Sequence, residues 1–109
     1  MQKHCFALDL KDDENIIARY EEYHKNVWPE IKKSITDAGI IQMEIYRTGN
    51  RLFMIMETED SYDAAVKAAM DSANPKVKEW ETLMSTLQQT LPWAAPGQKW
   101  IEMKKIFAL

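Results

Sequence analysis

The chain has 109 residues, 46% of them hydrophobic and 28% charged, which suits one globular domain with a single core. A formal net charge of −3 argues against a general binder of nucleic acid or of anionic membrane, since both select a basic face. The single cysteine, Cys5, leaves no internal disulfide to form and fits a reducing, cytoplasmic setting.

Residues 3–10, KHCFALDL, alternate in character. Phe6, Leu8 and Leu10 face one way and Cys5, Ala7 and Asp9 the other, which predicts a strand with one apolar face. Asp12 and Asp13 offer N-caps for a helix. Apolar residues then recur at helical spacing from Ile16 through Tyr20, Tyr23, Val27, Trp28, Ile31 and Ile35 to Ala38, and Gly39 closes the run as a C-cap. Two strand-like runs, IIQMEIYRT (40–48) and RLFMIMET (51–58), flank Gly49-Asn50 and predict a hairpin. Asp60 and Ser61 are expected to cap a helix from Tyr62 to about Met70. Asn74-Pro75 restarts a helix whose stripe is Val77, Trp80, Leu83, Met84 and Leu87. A Pro/Gly loop, LPWAAPGQK (91–99), leads to an expected final strand, WIEMKKIFAL (100–109).

The order β-α-β-β-α-(α)-β predicts the ferredoxin-like split βαβ arrangement, an α+β fold with an antiparallel sheet and helices on one face. The other face must be covered or put to use, and a second copy of the sheet is the simplest cover. A homodimer is therefore expected. No repeat, linker or low-complexity tract divides the chain, so residues 1–109 read as one domain. The N-terminus carries neither a signal-peptide nor a transit-peptide pattern, and no apolar run approaches the ~20 residues that span a bilayer.

The stretch RYEEYHKNVWPEI (19–31) is the least ordinary on the chain. Tyr20 and His24 are four apart and share one helix face. Pro29 cannot donate to the carbonyl four residues back, so the helix should kink or restart between about Lys25 and Pro29. A histidine beside a phenol and an indole suits proton transfer. Periodicity alone favours plain aromatic packing, for Trp80 as well. His4 and Cys5 are adjacent on a strand and point to opposite faces, so neither makes a site. The histidine and cysteine spacing gives no metal site, and dispersed glycines give no phosphate loop. Glu44, Glu57 and Glu102 are strand carboxylates, and of these Glu44 is the first candidate for a functional acid.

The pattern Y-x-x-x-H-x-x-x-W-P-E at Tyr20, His24, Trp28, Pro29 and Glu30 resembles the motif of the L-rhamnose mutarotase family. The resemblance runs nearly end to end, through FALDL, M-E-I-Y, G-N-R-L-F-M-x-M-E-T, N-P-x-V-x-E-W-E, A-P-G-Q-K-W and K-I-F-x-L. It implies a dimeric α+β barrel and a cofactor-free enzyme that interconverts sugar anomers. It further implies that His24 is the proton donor and that Tyr20 and Trp80 contact the sugar; Trp28 is expected to join Trp80 as a flat apolar surface against the C–H face of the ring. Two sugar-pocket positions depart from rhamnose-type members, which have a sugar-binding tyrosine where this chain has Met43 and a second tryptophan where it has Glu81, so Met43, Glu81 and the neighbouring Glu44 are expected to line the substrate site. The pattern is nearer the L-fucose branch, so a 6-deoxy-L-sugar is the expected substrate, L-fucose before L-rhamnose. Glu44 is the expected second proton-transfer group, by elimination. The alternative is a ligand-sensing dimer of ferredoxin-like subunits without catalysis.

Overall fold

The alternation along residues 3–10 becomes strand β1 (Gln2–Leu10) in the computed structural model, which describes residues 1–109. Helix α1 (Glu14–Lys25) follows, capped by Asp13, whose carboxylate accepts from the Asn15 and Ile16 amides at 2.9 and 3.1 Å. The chain then breaks over Asn26–Trp28 and restarts as α2 (Pro29–Asp37) with Pro29 at the first helical position. The Trp28 carbonyl accepts from the Ile31 and Lys32 amides, so Trp28 is the N-cap of a new helix and not a residue of a bent one. The interruption predicted from Pro29 is thus a full restart. Proline supplies no N–H to the preceding turn, and its fixed φ suits the first position of a helix.

Gly39, at φ 91°, turns the chain into β2 (Ile40–Thr48). Gly49, at φ 56°, then opens the two-residue hairpin to β3 (Arg51–Thr58). A left-handed glycine at the first central position matches the II′ turn, whose twist suits flanking strands. Asn50 fastens this turn to the end of β1: its carbonyl accepts from the Leu10 amide, and its side-chain amide donates to the Leu10 carbonyl at 3.0 Å. Helix α3 (Ala64–Ser72) begins later than Asp60 and Ser61 predict. Asp63 is its cap, and Asp60 instead pairs with the N-terminal ammonium at 2.7 Å. Asn74 and Pro75 open α4 (Pro75–Ser85) as expected.

The sheet runs β2-β3-β1-β4, antiparallel at each pairing, where β4 is the two-residue strand Gln88–Gln89. This is the ferredoxin-like order. The fourth strand differs from its prediction: β4 pairs with Asp9 and Leu10, the chain leaves the sheet, and β5 (Ile101–Glu102) returns beside Phe6 and Ala7. Prolines at 92 and 96 lie in the excursion, and proline cannot donate to a ladder. After β5, the Met103 amide donates to the Cys5 carbonyl and regular structure stops. Ile106 and Phe107, expected within that strand, stand 90% and 77% exposed.

Register fixes which side chains share a face. Leu8 pairs with Leu52, Phe6 with Met54 and His4 with Met56, while Met43, Ile45 and Arg47 lie opposite Met56, Met54 and Leu52. These residues face the helices; Leu8 is fully buried, and Leu10 and Leu52 are sealed against Tyr20, Ile31, Val77, Trp80, Met84 and Leu87. Cys5, Ala7, Phe53, Ile55, Glu44 and Tyr46 face the other way and remain at least partly accessible. Truncating Leu52 to alanine should lower the unfolding free energy by about 2–5 kcal/mol in a urea titration, through lost burial and an unfilled cavity. Val66→Ala, at an exposed position on α3, should stay within about 0.5 kcal/mol of wild type in the same titration.

Candidate active site

His24 stands in the last turn of α1, just before the break that follows Lys25. The His24 Nδ1 lies 2.8 Å from the Tyr20 carbonyl. A carbonyl can only accept, so Nδ1 carries a proton and donates it there. In the neutral ring, Nε2 then holds the lone pair. The same four-residue spacing stacks the two rings, with centroids 4.2 Å apart and planes 28° from parallel.

Three further aromatic rings pack behind this pair. Trp80 on α4, 9% exposed, meets His24 edge-on at 5.6 Å, Trp28 at 5.1 Å and Tyr23 at 6.3 Å. The break before Pro29 lets Trp28 turn toward α4, where Lys76 Nζ also lies 5.8 Å from its ring. Edge-to-face packing of this kind fixes ring orientation and contributes about 0.5–1.5 kcal/mol per pair.

Burial sets the proton affinities. Desolvation pulls the His24 pKa below 6.5, and the hydrogen bond to the Tyr20 carbonyl opposes it only in part. Desolvation likewise pushes the Tyr20 phenol up to about 12, and the neighbouring Gln88 side chain opposes it only in part. At neutral pH the site therefore presents a neutral imidazole and a neutral phenol. Gln88 Oε1 is buried without a partner.

A cavity of about 340 Å³ opens beside the pair, within the range of roughly 300–1,000 Å³ common for small-molecule sites. Tyr20, Glu21, His24, Ile45, Tyr46, Arg47 and Leu52 line it. Tyr20 and His24 thus meet at one cavity, while Trp80 and Trp28 support the imidazole from behind.

The other expected site residues lie elsewhere. Glu44 projects from the open face of the sheet, where its carboxylate accepts from the Tyr46 hydroxyl at 2.6 Å. The sheet separates it from His24, which corrects the expectation that it is the partner base. Met43 faces the helices but lines a second groove with Lys32, Ile35 and Ile40. Glu81 is exposed on α4, outside the cavity lined by Tyr20 and His24. Glu57 also points to the open face, and Glu102 pairs with His4 at 2.9 Å.

Sequence reasoning passed over Glu21, Arg47 and Gln88. The same alternation that puts Ile45 inward puts Arg47 inward too, and Glu21 is three residues before His24. No group of three or more His, Cys, Asp or Glu side chains converges where a metal could be held.

Fold and site together define a small α+β protein with one neutral, oriented imidazole at a small-molecule-sized cavity. A family model described as L-rhamnose mutarotase matches residues 3–109. A protein named L-fucose mutarotase from Xanthomonas campestris pv. campestris is 49% identical, over 100% of this chain and 89% of its own length. An L-rhamnose mutarotase from Phocaeicola vulgatus is 31% identical over 88% of each chain. The crystal structure of an L-rhamnose mutarotase from Formosa agariphila superposes with a TM-score of 0.73 at 22% identity, covering 100% of this chain and 99% of that one. The chain belongs to the L-rhamnose mutarotase family.

The two histidines are separable by NMR. The His24 ring should titrate with a midpoint below 6.5, and His24→Ala should remove that resonance and leave the His4 signal. The sign for stability follows from the lowered pKa. Folding favours the neutral ring, so the His24 contribution is present above pH 6.5 and is lost as pH falls through the folded value. A midpoint above 6.5 would contradict burial as the dominant influence.

Proposed function

We propose that this chain is a mutarotase that interconverts the α and β anomers of a 6-deoxy-L-sugar, with L-fucose preferred to L-rhamnose. The observation that carries the mechanism is the His24 hydrogen bond. With Nδ1 held on the Tyr20 carbonyl, Nε2 is the nitrogen free to exchange a proton in the cavity. The preference for L-fucose rests on the 49% identical relative that bears that name, matched over the whole of this chain.

Ring opening moves one proton from the anomeric hydroxyl to the ring oxygen while the bond between C1 and the ring oxygen breaks. Both oxygens are bonded to C1, so a single imidazole can serve both. Nε2 accepts the hydroxyl proton as the C1 carbonyl forms, and the resulting imidazolium gives that proton to the ring oxygen. Rotation about C1–C2 exposes the other carbonyl face, and the reverse transfers close the ring. No redox change or external nucleophile enters the balance. Tyr20 holds the imidazole through its carbonyl and its ring, and Trp80 and Trp28 keep it from turning. His24 is the catalytic residue and Tyr20 lines the substrate cavity.

The active unit in this reading is a homodimer located in the cytoplasm. Phe53, Ile55 and Ala7 lie on a sheet face that no helix covers, and Ile106 and Phe107 stand exposed beyond β5. Apolar surface of that kind favours a partner of the same sequence. No helix is long and apolar enough to cross a membrane.

NMR exchange spectroscopy of L-fucose anomers gives the test. Wild-type protein should accelerate exchange, and His24→Ala should remove about 10²–10⁴-fold of that rate, the usual range for one acid–base group. The cycle starts from neutral imidazole, so the rate should hold above pH 6.5 and fall as pH drops through the lowered His24 pKa. No protein-dependent exchange with either sugar would end the mutarotase reading. Full activity in His24→Ala would remove the catalytic assignment alone.

A further inference from the structure

Gln88 is a polar residue at a core position. It stands opposite Leu10 in the antiparallel pairing of β4 with β1. Directly opposed residues share a sheet face, so its side chain turns inward with Leu10, which is fully buried in the cluster that also holds Tyr20 and Leu87. Its Oε1 is buried without a partner. A buried acceptor left unpaired weakens a fold, and leucine or methionine would fill the same space without that penalty. Stability therefore does not explain the amide. Its surroundings do, because the side chain lies beside the Tyr20 phenol.

The amide acts on that phenol in one direction. It eases ionisation of the hydroxyl, and among uncharged hydrogen-bonding neighbours only a donor does so, by stabilising the phenolate. The N–H side of Gln88 therefore meets the phenol, and Oε1 is the end left over. A phenol has one proton to give and two lone pairs that accept. With the amide facing a lone pair, the proton is left for the cavity that Tyr20 and His24 line. A hydroxyl that accepts one hydrogen bond also becomes a stronger donor of the next. An apolar neighbour at position 88 would leave the hydroxyl free to turn and would not polarise it.

We propose that Gln88 is the positioning residue for Tyr20, holding the phenol as a hydrogen-bond donor to a sugar oxygen in the cavity while His24 moves the proton between the two oxygens on C1. This rests on the mutarotase reading above. Gln88 acts on the sugar through Tyr20 alone and takes no part in the proton transfer. The role also separates two functions of one residue. The Tyr20 carbonyl serves the imidazole, and the Tyr20 hydroxyl serves the substrate.

The test measures anomeric exchange of L-fucose for wild type, Gln88→Leu, Gln88→Met, Tyr20→Phe and the double variant Tyr20→Phe/Gln88→Leu, with the thermal midpoint of each. Loss of one directed hydrogen bond to the substrate predicts a KM raised by about 3- to 10-fold in both Gln88 variants, with kcat changed far less. Their thermal midpoints should match or exceed that of wild type, because an apolar chain replaces the unpaired amide. Tyr20→Phe should raise KM at least as far. Adding Gln88→Leu to it should raise KM no further, since the hydroxyl that Gln88 directs is gone. The acid limb of the pH profile, set by His24, should stay in place in the Gln88 variants. A wild-type KM in Gln88→Leu and Gln88→Met would overturn the inference. So would a Gln88→Leu effect that persists in full on top of Tyr20→Phe, or a displaced acid limb. Failure of both Gln88 variants to fold would make Gln88 a stability residue and overturn it as well. A wild type that exchanges neither L-fucose nor L-rhamnose would instead overturn the mutarotase reading, and this inference with it, which keeps the two failures distinct.

Discussion

A proline that cannot continue a helix organises this site. Pro29 has no N–H for the carbonyl four residues back, so α1 ends at Lys25 and α2 starts afresh at Pro29. His24 therefore stands in the last turn of α1, and its ring folds back along the helix onto the carbonyl one turn earlier. Its Nδ1 takes up the Tyr20 carbonyl, and the tautomer follows from that one contact. The same break frees Trp28 to meet Trp80, so the residues that support the imidazole from behind depend on it too.

Burial and orientation then act in one direction. An imidazole in water near neutral pH is divided between two protonation states and two tautomers. Packing against Tyr20 and Trp80 disfavours the charged ring, and the carbonyl selects between the tautomers. The result is a single resting form with a lone pair at Nε2. Tyr20 contributes through its carbonyl and ring, and its own phenol stays protonated because burial pushes it up to about 12. Preorganisation of this sort costs the reaction no rearrangement at the moment of proton transfer.

Much of this was legible in the residues. Alternation along residues 3–10 and 51–58 gave both the sheet and the faces, and the helix restart followed from Pro29. The Tyr20–His24 spacing placed the two rings together. The fourth strand was illegible because two residues at Gln88–Gln89 carry no period, and Gln88 is visible as a neighbour of Tyr20 only once β4 folds beside β1. The cap of α3 was misplaced because Asp60, Ser61 and Asp63 are all good caps, and the N-terminal ammonium claims Asp60. Glu44 was a different kind of miss. The period of two that turns Ile45 inward turns Glu44 outward, and the same count brings Arg47 to the cavity.

In the proposed cycle His24 rests as the Nδ1–H tautomer and meets the sugar with Nε2. ¹⁵N-histidine NMR at neutral pH reads both points directly. The account predicts a protonated Nδ1, an unprotonated Nε2, and a shift of the His24 Nε2 resonance on addition of L-fucose while His4 stays in place. A His24 ring protonated at Nε2, or one whose resonances ignore a sugar that the protein demonstrably turns over, would contradict it.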